Sequence, residues 1–238
     1  MHRVLDKVLL NGLTVPFRPF YRKYPFSSPA SIRSADDRGC VDLELGFFYN
    51  RVPKAANSTV MTNLARLKHG EDVASRAAKR MFTSPARLSA EEVVRFDDLF
   101  KFTVVRNPYT RTLSAYLDKV ERRAKRDNRE SSFRDFLLSL QRGKLYANAH
   151  WAPQSALILI PVERFDFIGK VETLEQDLAT IKRRIRPDME QTLTSVMSNA
   201  TGAGDRLRAY YDEELVGLVQ DLYRQDFMSF HYDTTFPA

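Results

Sequence analysis

The stretch Leu45-Gly46-Phe47-Phe48-Tyr49-Asn50-Arg51-Val52-Pro53-Lys54-Ala55-Ala56-Asn57-Ser58-Thr59-Val60-Met61 decides the fold. It reads as a short buried strand that stops at Pro53, turns through Lys54 to Asn57, and enters a helix near Ser58, where apolar residues begin to recur every three to four positions. A strand, a tight polar turn and a helix N-terminus together make an anion site. The first N–H groups of a helix have no partner within it and lie at the positive end of its dipole, so they can hold a phosphate. Lys54, Ser58 and Thr59 add side-chain donors. The anion is expected above the carboxyl end of the strand. This is not a Walker A loop, because G-x-x-x-x-G-K-S/T is absent and the turn has no glycine. The plainer alternative is an ordinary strand–turn–helix with a solvated Lys54.

Two more units of the same kind follow. Residues 100–106 (FKFTVVR) form a strand bounded by Asn107-Pro108, and Pro108 sits in the first turn of a helix that carries Leu113, Tyr116, Leu117 and Val120 on one face. Residues 165–170 (FDFIGK) form a further strand, and 171–185 a helix. Strand, polar turn and helix in succession argue for an α/β, P-loop-like three-layer fold. Its central sheet is mainly parallel and flanked by helices, and ligands bind at the strands' carboxyl ends.

Between these units, residues 58–69 make an amphipathic helix capped by Gly70, and Ser89 to Glu92 has capping-box spacing. Residues 71–98 otherwise read as short helices and loops. The charged run 121–130 (ERRAKRDNRE) reads first as a solvated helix face and second as a rim attracting an acidic acceptor. Residues 131–140 form another amphipathic helix, 195–205 a glycine-containing loop, and 212 to about 230 one closing helix. Residues 1–40, with Pro16, Pro19, Pro25 and Pro29 among aromatic side chains, make an N-terminal arm ahead of a single domain over 41–238. A short membrane-touching helix from Arg3 to Leu10 is the alternative for its start.

A chain of 238 residues with 43% hydrophobic content can bury a sizeable core, and its net charge of +7 favours anionic partners without choosing among them. The single cysteine, Cys40, excludes an intramolecular disulfide and a thiolate metal cluster. No apolar run approaches about 18 residues, and Val8-Leu9-Leu10 is too short for a signal-peptide core. A soluble cytoplasmic protein without a membrane span is expected.

The second unit carries Arg106-Asn107-Pro108-Tyr109-Thr110-Arg111-Thr112-Leu113-Ser114-Ala115-Tyr116. An arginine at a strand tip and a serine two helical turns later can share one phosphate, since a guanidinium fork binds two oxygens and a hydroxyl a third. Lys54 and its turn would bind another. Two anion sites on adjacent strand ends suit a nucleotide with phosphates at both ends of its ribose. These blocks, together with His150-Trp151 and Gly169-Lys170-x-Glu172-Thr173-Leu174 with Asp177, resemble the carbohydrate sulfotransferases in order and spacing. The group that makes chondroitin 4-sulfate and the HNK-1 epitope is the most similar, over about residues 47–232.

The resemblance implies 3'-phosphoadenosine 5'-phosphosulfate (PAPS) as donor, with adenosine 3',5'-bisphosphate as product. It places the 5'-phosphosulfate on Lys54, Ala55, Ala56, Asn57, Ser58 and Thr59, and the 3'-phosphate on Arg106 and Ser114. The chain departs from its relatives at Asn107, where Asp or Glu is usual, and at Ala55-Ala56, where valine and glycine are frequent. Neither change removes a cation.

Sulfuryl transfer needs an in-line attack by an acceptor hydroxyl and stabilisation of charge on the leaving phosphate oxygen, with no metal required. Lys54 suits that oxygen. Histidine is the side chain best matched to taking the hydroxyl proton at neutral pH. Of the four histidines, His2 lies in the arm, His69 at a helix end and His231 near the C-terminus, so His150 is the expected base. Asp118 and Glu172 are the carboxylate alternatives, and packing of His150 beside Trp151 is the plainer reading. Lys170 and Glu172 are expected to hold the third turn near the donor, and Thr201 and Arg206 to close over the nucleotide.

The expected acceptor is a carbohydrate or glycan, anionic ones included, and no nucleic acid is expected as partner. Absent paired cysteines and a membrane anchor suggest a bacterial-type cytoplasmic enzyme. A P-loop-like kinase is the second reading, opposed by the missing glycines, and a non-catalytic basic binder of polyanionic glycan is the third.

Overall fold

The computed structural model describes residues 13–189 and 206–237. Its sheet has four strands whose spatial order follows the chain: β1 (Gly39–Asp42), β2 (Phe47–Asn50), β3 (Phe100–Val105) and β4 (Phe167–Lys170). β2, β3 and β4 run parallel, in a register that sets Tyr49 beside Phe102 and Val104 beside Gly169. β1 lies antiparallel on β2. The α/β architecture with a mainly parallel sheet is as expected, whereas β1 is a strand that pattern reading passes over. It is four residues long, and its hairpin is closed by Asp42, whose Oδ1 accepts from the Glu44 and Leu45 N–H groups at 3.1 and 3.0 Å.

The helices that build the core and the site are, in chain order, α1 (Pro19–Lys23), α2 (Asn57–His69), α3 (Ala90–Arg95), α4 (Pro108–Ala115), α5 (Phe133–Ser139), α6 (Leu174–Ile185), α7 (Glu213–Leu222) and α8 (Arg224–Ser229). Successive side chains on a strand point to opposite faces, so β2 sends Phe47 and Tyr49 one way and Phe48 the other. The first face packs with Phe102 and Val104 against Val60, Met61 and Leu64 of α2 and Leu174, Leu178 and Ile181 of α6. On the second face Phe48 meets Phe20, Tyr24, Leu88 and Phe96. The Phe96 ring centre lies 5.0 Å from those of both Phe20 and Phe48. Phe20, Tyr21 and Tyr24 of the proline-rich stretch are therefore buried core.

A third apolar cluster joins Tyr109 and Leu113 of α4 to Phe133 and Leu137 of α5, Leu215 and Val219 of α7, and Phe227 of α8. Two regular expectations give way here. The closing segment is two helices, broken at Tyr223 (φ −118, ψ 21), although its apolar stripe continues across the break. Beyond α4 the chain widens into a π-helical stretch, Tyr116–Glu121, before it returns to α-helix at Arg122–Arg126. Such insertions re-aim side chains, and Asp118 lies within this one. The capping box at Ser89 and Glu92 is present, and Gly70 (φ 78) ends α2. The segment Arg3 to Leu10 and the loop 195–205 fall outside the described residues. Among the described residues no helix is long and apolar enough to cross a membrane.

Candidate active site

The turn after β2 is built without glycine, yet Lys54 (φ 69) and Ala56 (φ 50) both adopt the left-handed conformation. For a residue with a Cβ this costs roughly 1–2 kcal/mol. Ala56 is the N-cap of α2 and supplies no side-chain cap, and the first turn of α2 has no acidic residue. That leaves the positive end of the helix without a carboxylate of its own, as an anion site requires. Lys54 Nζ reaches Asp118 Oδ2 at 3.1 Å. Asp118 also holds Lys119 Nζ at 3.1 Å and Arg122 Nη1 at 3.7 Å. Burial lowers the pKa of Lys54 from the usual lysine value, and Asp118 opposes that shift.

At the tip of β3, Arg106 is tied in from several directions. Its Nη1 donates to the Lys54 carbonyl at 3.3 Å and its Nε to Thr110 Oγ1 at 2.9 Å. Its backbone is gripped by Gln154, whose Oε1 accepts from the Arg106 N–H at 2.9 Å while its Nε2 donates to the Arg106 carbonyl at 2.8 Å. Gln154 is itself held by buried Asp226, which accepts from the Gln154 N–H at 2.7 Å and from the Ser155 N–H at 2.8 Å. Asn107 caps α4 by accepting from the Tyr109 N–H at 3.0 Å, so the amide here retains the capping that an aspartate would give. Glu172 Oε1 accepts from the Asn107 N–H at 2.8 Å, joining the third strand–helix unit to the second.

His150 sits on the loop before Gln154, half-buried. Asn148 Oδ1 accepts from the His150 backbone N–H at 3.0 Å and lies 2.8 Å from its Nδ1. An acceptor at that distance fixes the proton on Nδ1 and leaves the Nε2 lone pair available. Burial, then the cations Lys119, Arg38 and Lys54, lower the His150 pKa to about 4, against a partial opposing pull from Asp118. The ring is therefore neutral near pH 7 and electrostatically in the neighbourhood of Lys54.

The structure thus brings together Lys54, Arg106 and the start of α2 with Asn57, Ser58 and Thr59, with His150 within their field. Ser114 is buried further along α4. Tyr116 packs, with its hydroxyl donating to the Ser131 carbonyl at 2.9 Å. Lys170 Nζ lies 4.4 Å from the Tyr232 ring centre, and Tyr232 donates to Glu172 at 2.9 Å. Arg206 reaches Tyr210 Oη at 2.6 Å, and Thr201 falls outside the described residues. From the sequence, Arg111 either orients the 3'-phosphate site or packs its helix. The structure makes it a buried tie that donates to the carbonyls of Pro53, Ala149 and Ala152. Sequence reading assigns no role to Gln154, Asp226 or Lys79. Lys79 donates to Ser58 Oγ at 2.9 Å from a loop 21 residues away, and no local spacing signals that contact.

Fold and site together define an α/β protein with a cationic turn and helix N-terminus at the carboxyl ends of parallel strands. The chain belongs to the Sulfotransferase family, which matches residues 39–233 and so takes in all four strands, Lys54, Arg106 and His150. It is a sulfotransferase, an enzyme of sulfuryl transfer that takes its sulfate from a donor co-substrate. No curated protein and no solved structure matches the chain.

Proposed function

We propose that the donor is PAPS and that the sulfuryl group passes to a hydroxyl of a carbohydrate. The observation that carries this reading is the joining of two cationic strand tips, through the 3.3 Å contact from Arg106 to the Lys54 carbonyl. A nucleotide with phosphate at both ends of its ribose needs such a pair. The donor set fits it: an α2 N-terminus without an acidic first turn, flanked by Lys54, Ser58 and Thr59, and Arg106 on the adjacent strand.

PAPS supplies the sulfuryl group when bound. Lys54 and the first N–H groups of α2 take up the charge that gathers on the oxygen where the sulfur–oxygen bond breaks, while the new bond forms to the acceptor oxygen. The acceptor's proton goes to His150 Nε2. Asn148 holds the ring in the tautomer that can receive it.

An acceptor has a basic trough available. Lys119, Arg122, Arg123 and Arg126 line a cavity of about 680 Å3 with Asp118, Asn148 and Trp151. A neighbouring cavity of about 530 Å3 shares Lys119, Arg123 and Trp151 and adds Arg129 and Lys144. Part of this charge is met locally, since Asp127 pairs with Arg123, Arg126 and Arg129. The surplus is positive and favours carboxylated or sulfated sugars over neutral ones. The deciding experiment is calorimetry with adenosine 3',5'-bisphosphate, followed by an acceptor screen with radiolabelled PAPS. Micromolar binding and labelled glycan are expected, and no binding by the wild type would end this reading.

His150 gives a pH signature. As a base it must be unprotonated, so activity falls as pH drops through its pKa. With that pKa near 4 in the free protein, kcat/KM for the donor should stay flat from about pH 5 to 8. Bound anionic donor offsets Lys54 and Lys119, raising the His150 pKa, so the acid limb of kcat should lie at higher pH than that of kcat/KM. His150→Gln should abolish most transfer while bisphosphate still binds. An acid limb near the ordinary histidine value that survives His150→Gln would assign the proton to another group.

A further inference from the structure

We infer that Lys79 is a second lysine of the 5'-phosphosulfate site, acting by its charge and by setting the Ser58 hydroxyl. The inference rests on the PAPS reading above and adds a residue that no motif contains. Lys79 follows the short helix Ser75–Ala78, which packs beside α2, and its Nζ donates to Ser58 Oγ at 2.9 Å in the first turn of α2. An ammonium has no acceptor capacity, so this contact occupies an oxygen lone pair and leaves the Ser58 proton to be donated elsewhere. The group best placed to accept it is an anion at the uncapped end of α2.

The charges around Lys79 point the same way. Among the described residues no carboxylate pairs with it. After burial, what lowers its pKa is repulsion from Arg51 and Lys119. Lys119 acts in the same sense on Lys54, where Arg106 adds to it. Lys54, by contrast, has Asp118 at 3.1 Å. Partly buried Lys54 and Lys79 flank one helix N-terminus within the field of exposed Lys119, and among the described residues Lys79 is the one of the three without a counter-ion. A divalent phosphate or phosphosulfate supplies the missing negative charge. Arg106, on the next strand, is left to the other end of the nucleotide.

The test separates the two ends of the ligand. Calorimetry compares adenosine 3',5'-bisphosphate with adenosine 3'-monophosphate, which lacks the 5' group, on wild type, Lys79→Ala, Lys79→Arg and Arg106→Ala. Lys79→Ala should weaken the bisphosphate by about 10- to 100-fold, the range of a charge-assisted hydrogen bond, and leave the 3'-monophosphate within about twofold. Lys79→Arg should recover most of the loss, and Arg106→Ala should weaken both ligands. Equal loss on both nucleotides in Lys79→Ala, or no loss on the bisphosphate, would overturn the assignment of Lys79 while leaving the donor reading intact. Failure of the wild type to bind either nucleotide would remove the donor reading itself. Should Lys79→Ala not fold, Lys79→Gln keeps most of the side-chain bulk and removes the charge, and the same comparison applies.

Discussion

Lys54→Ala is expected to lower turnover by about 100- to 1000-fold while the Kd of adenosine 3',5'-bisphosphate rises less than about tenfold. The asymmetry follows from where the lysine is needed. On the PAPS reading, the donor's ground-state charge would be shared among the α2 N-terminus, Ser58 and Thr59. The extra negative charge of the transition state gathers on the bridging oxygen, which a positioned ammonium serves better than water can in a partly buried site. Loss of Lys54 should leave the fold in place, because Asp118 keeps Lys119 at 3.1 Å and Arg122 at 3.7 Å. Single-turnover transfer measured beside calorimetry decides the matter. A variant whose donor affinity collapses while its single-turnover rate holds would make Lys54 a binding residue and leave the charge on the leaving oxygen to other groups.

The same turn shows what a sequence can and cannot reveal. The strand and the helix around Lys54 were legible because Phe47-Phe48-Tyr49 is a continuous apolar run halted at Pro53, and Val60, Met61 and Leu64 recur on one helix face. The left-handed backbone at Lys54 and Ala56 was not, since the usual marker is glycine and none is present. A glycine would suit the φ of 50 at Ala56. β1 escaped because its four residues, Gly39–Asp42, hold only two apolar side chains, Cys40 and Val41, between a glycine and an aspartate. The break at Tyr223 escaped because the apolar stripe passes through it, and its cause is distant: the Tyr223 hydroxyl donates to the Trp151 carbonyl at 2.7 Å, and α8 carries Asp226 to Gln154. Lys54 and Arg106 were findable as cations at strand ends, and His150 as the histidine of the His150-Trp151 block. Lys79, Gln154 and Asp226 act through contacts across 21 to 72 positions, which only tertiary packing creates.

Arg111→Met should destabilise the protein by about 3–5 kcal/mol, which for a chain of this size lowers Tm by on the order of 10 °C. Arg111 is 1% exposed, and its guanidinium donates to the Pro53 carbonyl at 3.0 Å, Ala152 at 2.9 Å and Ala149 at 3.3 Å. One buried group thus ties the turn that presents Lys54 to the loop that presents His150. Methionine fills much of the volume but leaves three carbonyls without that donor. It also removes the charge that helps hold buried Asp226 ionised, whose pKa burial already raises. Arg111→Lys keeps the charge and loses the fork, so its destabilisation should be smaller, with transfer still impaired because one ammonium cannot span both segments. Denaturant unfolding of the two variants, read beside transfer rates, separates charge from geometry. If Arg111→Met unfolds at the wild-type midpoint, the carbonyls have found other donors, and the coupling of the Lys54 turn to the His150 loop must run through Gln154 instead.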